Sequence, residues 1–378
     1  MLRRPKRYTE TVEKTLSELD IEPIIRIETF TDVTPFFRGG KHALIQGITG
    51  SGKTTLLLTL LKMLHEKGHI ILMRDDGGLE FLYLLPEIPM TIFLPKDCDL
   101  IIDGDYRYTI KHFEKPMDII NQIYKTRYNF NVIVYDVFCI DPSLSAQFYA
   151  DLFNALIFKC MQTPRALKEK LVFSIDELND LIQPKGQEIT EGHQKVRSLI
   201  EYNIRKLRKH LVTLIATTHR FNQIGINVRS QFSYVFLKQS YGWDIYEYLN
   251  KSLVTASNKV FWSILRDVVT MPQQYFYVFD YKNNFDKFSF EDIKRPKIEY
   301  DVKGIIEPPK TDKEFDEIDV ILAIGRSMTP KLKFREIAKL TGKSPSTLYY
   351  RYDRLMNHNR IADLILRSQK ASTTKRYK

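Results

Sequence analysis

The run Gly47-Ile48-Thr49-Gly50-Ser51-Gly52-Lys53-Thr54 constrains this chain more than any other feature of it. An apolar stretch, Ala43-Leu44-Ile45-Gln46, precedes the run and reads as a buried strand; Thr54 to Lys67 follows with a helical pattern stopped by Gly68. Strand, glycine-rich loop and helix, in that order, form the context that a GxxxxGK[ST] motif requires. The glycines let backbone N–H groups curl around phosphate, and the helix N-terminus adds a favourable dipole. Lys53 is expected to reach the β and γ phosphates, and Thr54 to offer its hydroxyl to magnesium. Gly47, Ile48, Thr49, Gly50, Ser51, Gly52, Lys53, Thr54 and the adjoining Thr55 are thus the expected ATP-binding residues, with ATP and Mg²⁺ as cofactors.

Further strands are read at His69 to Met73, Asn131 to Tyr135, Leu171 to Ile175, Val212 to Thr218, Tyr234 to Leu237 and Tyr275 to Phe279. They alternate with helical patterns, including a long basic amphipathic helix from about Gly192 to Arg208, which predicts an α/β fold with a largely parallel sheet: a RecA-like P-loop NTPase core. Residues 1–40 read as an N-terminal extension, with a short helix from Tyr8 to Leu19 and a strand at Ile24 to Phe30. The core is placed at 41–304. Within it, residues 79–115 are irregular and rich in proline and aspartate, and read as an insertion that is partly a β-hairpin.

A P-loop needs a second acidic group to hold magnesium through water, and a residue beside it to position the attacking water. Asp176 and Glu177, at the end of an apolar run, supply both: Asp176 as the magnesium-side acid, Glu177 as the water-activating carboxylate. Asp136 ends a similar run but is followed by Val137 and Phe138, so an ordinary strand-end aspartate is the better reading. Thr217-Thr218-His219-Arg220 ends the next strand, where its polar side chains are expected to face the γ-phosphate.

From Ala43 to Tyr241 these motifs resemble the FtsK/HerA superfamily of hexameric DNA-pumping ATPases. The resemblance is carried by Asp176-Glu177-Leu178-Asn179-Asp180-Leu181-Ile182-Gln183-Pro184, by the basic helix end Arg205-Lys206-Leu207-Arg208-Lys209-His210 with its following strand, and by Ile224 to Leu237. His219 stands where the family commonly has glutamine, and imidazole donates a similar hydrogen bond. The resemblance implies a homo-oligomeric, hexameric ring acting on double-stranded DNA, with ATP between subunits and a neighbour's arginine completing each site. Arg205, Arg208 and Arg229 are the candidates, Arg208 first, which makes Lys53, Glu177, His219 and Arg208 the catalytic set. A switch-like initiator or regulator of the AAA+ type is the alternative; the absence of a second sensor arginine on a helical lid weighs against it.

The segment from Arg326 to Lys378 holds 14 Lys and Arg against 3 Asp and Glu, so the whole net charge of +11 lies in it. After a linker at 305–311, residues 312–378 read as helical: Asp312 to Arg326, Phe334 to Leu340 and Ser344 to Met356, with a wing strand at Asn359 to Ile365. On the last helix, Leu348, Tyr352 and Leu355 share one face, leaving Ser346, Thr347, Tyr350, Arg351 and Arg354 outward. This is the pattern of a winged helix-turn-helix whose outward face contacts DNA. Cys98, Cys139 and Cys160 lack metal-ligand spacing and read as reduced thiols. No apolar stretch is long enough to span a membrane, so a cytoplasmic protein, in the host cytoplasm if viral, is expected.

Overall fold

The computed structural model describes residues 26–126, 129–163, 171–183, 191–253, 256–306, 318, 321–322 and 332–357. The chain divides into two compact units, Met1–Glu307 and Pro308–Lys378.

The first unit is built on thirteen strands among its described residues: β1 Ile27–Thr29, β2 His42–Gln46, β3 Ile70–Asp75, β4 Met90–Pro95, β5 Asp99–Ile102, β6 Tyr108–Phe113, β7 Phe130–Val134, β8 Leu171–Ile175, β9 Thr213–Thr218, β10 Phe232–Leu237, β11 Tyr275–Asp280, β12 Phe285–Ser289 and β13 Tyr300–Lys303. Eleven of them form one sheet in the order β1-β12-β11-β10-β2-β9-β8-β3-β7-β4-β6. Only β11 runs against the others, antiparallel to both β10 and β12. β5 and β13 make a separate antiparallel pair.

Successive side chains of a strand point to opposite faces, and both faces here are apolar. Ile70 and Leu72 join one core with Ile133, Phe173 and Leu214, covered by the helices Pro142–Gln162 and Glu191–Lys209. Ile71 and Met73 join the other with Ile45, Val132 and Val172, beneath the helix Lys53–Glu66. Gly192 is what lets the two helices on the first face approach: a Cβ there would lie 2.9 Å from the Ser143 carbonyl oxygen. Layered in this way, the unit has the α/β, RecA-like fold of P-loop NTPases.

Two expectations change. The 79–115 segment is no hairpin: after a 3-10 turn at Glu80–Leu84, β4 and β6 pair parallel to one another and extend the main sheet beyond β7. The intervening β5 turns away to pair with β13, nearly 200 residues later in the chain and invisible to a local pattern. The N-terminal strand is shorter than expected, with exposed residues, but Phe30, Val33 and Phe37 behind it are buried in the second core. The helix expected at Tyr8 to Leu19 lies outside the described residues.

In the second unit, Leu322, Ile337 and Leu348 form a small buried core, with Phe334, Ala338 and Tyr352 packed on it. The helix Phe334–Thr341 begins with the Glu336 carboxylate accepting the Lys333 N–H at 2.6 Å and ends at Gly342, whose φ of 68° needs a glycine. Ser344 caps the helix Pro345–Asn357 by accepting the Thr347 N–H at 3.2 Å. The expected wing and most of the Asp312 to Arg326 helix lie outside the described residues.

Candidate nucleotide site at the carboxyl edge of the sheet

Because β2, β9, β8 and β3 are parallel neighbours, their carboxyl ends bring Gly47, His219, Asp176 and Asp76 to one edge. The loop after β2 is anchored at both flanks. The Gly47 N–H donates to the Thr218 carbonyl at 3.2 Å, the Ile48 N–H to that of Gln239 at 3.0 Å, and Gln273 Nε2 to the Gly50 carbonyl at 2.6 Å. Gly50 and Gly52 have φ of 77° and 82°. A Cβ on Gly47 would fall 2.5 Å from Ser51 Oγ and 2.7 Å from Lys238 Cβ, so the loop closes only with glycine there. The first intrahelical bond beyond it is made by Leu56 N–H to the Gly52 carbonyl at 3.0 Å. The N–H groups of Lys53, Thr54 and Thr55 therefore have no carbonyl one turn back, which suits them to phosphate.

Lys53, His219 and Glu177 form a closed triangle. Lys53 is buried, and its Nζ lies 3.0 Å from His219 Nδ1 and 3.5 Å from Glu177 Oε1. His219 Nε2 lies 3.0 Å from the same carboxylate oxygen. An ammonium can only donate, so Nδ1 accepts and Nε2 carries the proton toward Glu177. Burial and the Lys53 charge both hold the His219 pKa below its ordinary value, which keeps the ring in this neutral tautomer. Burial pushes the Glu177 carboxyl up to about 7, outweighing the pull of Lys53. Its second oxygen, Oε2, is buried without a hydrogen-bond partner.

Asp176 is buried at the end of β8, and the Thr217 hydroxyl donates to its Oδ1. The same hydroxyl accepts the Glu177 N–H at 2.8 Å. Burial raises the Asp176 pKa, against hydrogen bonds from Thr217 and Thr54. Glu80 is raised too, first by burial and then by Asp176, and it also interacts with the Thr54 hydroxyl. Thr54, Asp176 and Glu80 are hard oxygen donors of the kind magnesium prefers. Among the described residues no group of three or more His, Cys, Asp or Glu is placed to hold a metal ion.

Of the four residues ending β9, His219 reaches the triangle. Thr217 turns to Asp176 and Glu177, and Thr218 Oγ1 donates to the Arg220 carbonyl at 3.2 Å. Asp136 is fully engaged elsewhere: it takes Arg74 Nε at 2.9 Å, the Tyr149 hydroxyl at 2.8 Å and the Ser145 hydroxyl. Thr55 Oγ1 accepts from Arg295 Nη2. Glu80, Arg295 and the buried Lys238, whose Nζ donates to the Gln273 and Tyr275 carbonyls, are site neighbours that the motifs did not disclose. The acidic exit of β3 was the only local signal for Glu80.

Arg205 and Arg208 lie at the other end of the strands. With Gly39, His42, Lys209 and Gln231 they line a cavity of about 430 Å³ that contains no carboxylate. His42, its floor, opens β2, whereas Gly47 follows the strand's last residue. The two are five positions apart, roughly 16 Å along a strand. The His42 ring accepts the Leu214 N–H and faces the Ile204 carbonyl; burial lowers its pKa to about 4, so the cavity's charge comes from the two arginines and Lys209. Arg229 ends the helix Ile226–Arg229, just before β10. In the second unit Ser346, Thr347 and Tyr350 are exposed, Arg351 is half-buried, and the Arg354 side chain is outside the described residues. All three cysteines are free. No described helix is long and apolar enough to cross a membrane.

No protein-family model and no curated protein sequence matches the chain. Among solved structures it is similar to the genome packaging NTPase B204 of Sulfolobus turreted icosahedral virus 2 in complex with AMPPCP. That match has 13% identity and a TM-score of 0.40, and it covers 66% of this chain and 97% of the other. It is also similar to the pCW3 conjugation coupling protein TcpA with ATPγS, at 15% identity and a TM-score of 0.36, covering 66% and 60% respectively. The strand order and the loop between β2 and the helix Lys53–Glu66 give this chain the α/β, RecA-like fold of P-loop NTPases.

Proposed function

We propose that the chain is an ATP-dependent motor of the FtsK/HerA class that hydrolyses ATP at sites shared between copies in a hexameric ring and moves double-stranded DNA. The observation that carries the ATPase reading is the Lys53–His219–Glu177 triangle beside Asp176 and Thr54. Glu177 has a proton affinity near neutrality and one unpartnered oxygen, both suited to polarising a water. Lys53 exchanges its contacts within the triangle for the β and γ phosphates, which frees Glu177 to act as base. His219 Nε2–H then has a phosphate oxygen as an alternative acceptor, a means of registering whether the γ-phosphate is present. Thr54 by its hydroxyl and Asp176 through water would hold magnesium, with Glu80 close by. When bound, the ion neutralises charge on the phosphate oxygens.

Two observations support the shared site and the DNA partner. Arg205 and Arg208 sit too far from their own P-loop to serve it, yet they line a cationic cavity at the sheet edge, where a phosphate held by another copy would be received. The excess positive charge lies entirely in the segment carrying the second unit. Steady-state ATP hydrolysis measured with and without duplex DNA tests the reading. A motor is stimulated severalfold by DNA at low salt; a slow rate indifferent to DNA identifies a switch instead.

A further inference from the structure

Glu177 is one of four described non-glycine residues with positive φ, at 48°, a conformation that the β-branched and long side chains avoid. Backbone in such a state persists only where its surroundings hold it. The Arg74 side chain supplies the hold. It is buried in β3, next to β8 in the sheet, and its Nη1 donates to the Asp176 carbonyl at 2.9 Å and lies 3.4 Å from that of Glu177. Its Nε donates to Asp136, and its guanidinium lies 4.9 Å from the Tyr149 ring centre. Asp136 is fixed in turn by Ser145 and Tyr149, both on the helix Pro142–Gln162.

We propose that Arg74 is a positioning residue for the reaction, clamping the peptide that joins Asp176 to Glu177 so that the Glu177 carboxylate faces Lys53 and His219, with Asp136 as its fixed counter-charge. The fork of the guanidinium makes this possible: one edge serves the carboxylate while the other serves the carbonyls, a division that a lysine cannot make. Asp136, the rival candidate for magnesium, acts at one remove, by holding the clamp. The inference rests on Glu177 being the water-activating residue.

Arg74→Met alone would leave Asp136 buried and uncompensated, so the informative protein is the double variant Arg74→Met/Asp136→Asn, which removes both charges together. Two measurements on it are made beside wild type, Arg74→Lys and Glu177→Gln. In ATP hydrolysis, the double variant should lose roughly 10- to 100-fold in kcat with its KM for ATP within about threefold, because orientation of the water is lost and phosphate binding is not. Arg74→Lys should recover only a minor part. The second measurement is amide hydrogen exchange at Glu177, whose N–H is held by the Thr217 hydroxyl at 2.8 Å. Exchange there should speed up at least about tenfold in the double variant once the peptide is released, whether or not ATP is hydrolysed. Should Glu177→Gln hydrolyse ATP as wild type does, the catalytic reading of Glu177 fails, and the clamp is judged on the exchange alone. A double variant with wild-type kcat beside a slow Glu177→Gln, or with unchanged exchange at Glu177, overturns the proposal.

Discussion

Replacing Thr217 with valine removes one hydroxyl and almost no volume, and that hydroxyl has two partners. It donates to Asp176 Oδ1 and accepts the Glu177 N–H at 2.8 Å, at a position with no exposed surface. A hydrogen bond to a charged group contributes about 1.5–3 kcal/mol, and a neutral one about 1 kcal/mol. The Glu177 N–H keeps a second, longer acceptor in Asp176 Oδ1 at 3.2 Å, so it is not wholly orphaned. The sum is therefore about 2–3 kcal/mol of unfolding free energy, toward the lower end of the two losses added together. The Thr217 bond lowers the Asp176 pKa against burial. Without it the carboxyl ionises less readily, and the magnesium concentration giving half-maximal ATP hydrolysis should rise about tenfold, equivalent to about 1.4 kcal/mol. Urea titration and a magnesium series at fixed ATP read the two effects, with Thr217→Ser as the control that retains the hydroxyl. If Thr217→Val equals wild type in both, the hydroxyl does not bridge the two carboxylate residues.

Three further outcomes follow from the same geometry. Arg208→Ala should bind ATP normally and hydrolyse it poorly, and excess Lys53→Ala, which keeps Arg208, should restore some turnover as hybrid rings form; absence of rescue at Arg208, and likewise at Arg205 and Arg229, removes the case for trans-acting arginines. Burial brings the Lys238 pKa down from 10.5 to about 7, so between these values the unfolded chain holds a proton that the folded chain lacks, and wild-type stability rises with pH by up to roughly 1.4 kcal/mol per unit. The stability of wild type minus that of Lys238→Met, from urea titrations at pH 6.5 and pH 9, should accordingly shift in favour of wild type at the higher pH; a constant difference contradicts it. Deleting Arg326 to Lys378 should weaken duplex binding and flatten its salt dependence, since fewer counterions are released, and an unchanged slope would show that this segment does not touch DNA.

What could be read from the chain was whatever its local pattern encodes. The P-loop was legible because glycine spacing, a preceding apolar strand and a following helix all lie within 25 residues. Asp176 and Glu177 were legible because two adjacent acids at the end of a buried strand repel one another and lose hydration, a cost that a cation at the site offsets. Asp136 looked similar, and only its partners Arg74, Ser145 and Tyr149, drawn from β3 and from a helix, show how its charge is met. Arg74 and Lys238 were opaque for the same reason: each is a charged residue within or beside an apolar strand, and its role depends on neighbours that the sheet order supplies. The parallel pairing of β4 with β6 was missed because their joining segment includes β5, whose partner is almost 200 residues away. Thr217 was expected at the γ-phosphate; the register of β9 on β8, with Ala216 beside Ile175, sets it against Asp176 and Glu177 instead.

That Glu177 activates water for hydrolysis of an ATP held by Lys53 and the loop is decided by one comparison. ATP affinity and single-turnover phosphate release are measured together, in the presence of magnesium, for wild type, Lys53→Ala and Glu177→Gln. Lys53→Ala should lose tight binding, because the phosphate charge loses its buried ammonium. Glu177→Gln should bind ATP within a few-fold of wild type and release phosphate at least about 100-fold more slowly, a loss of roughly 2.7 kcal/mol in transition-state stabilisation. Phosphate release by Glu177→Gln at the wild-type rate would mean that Glu177 does not activate the water.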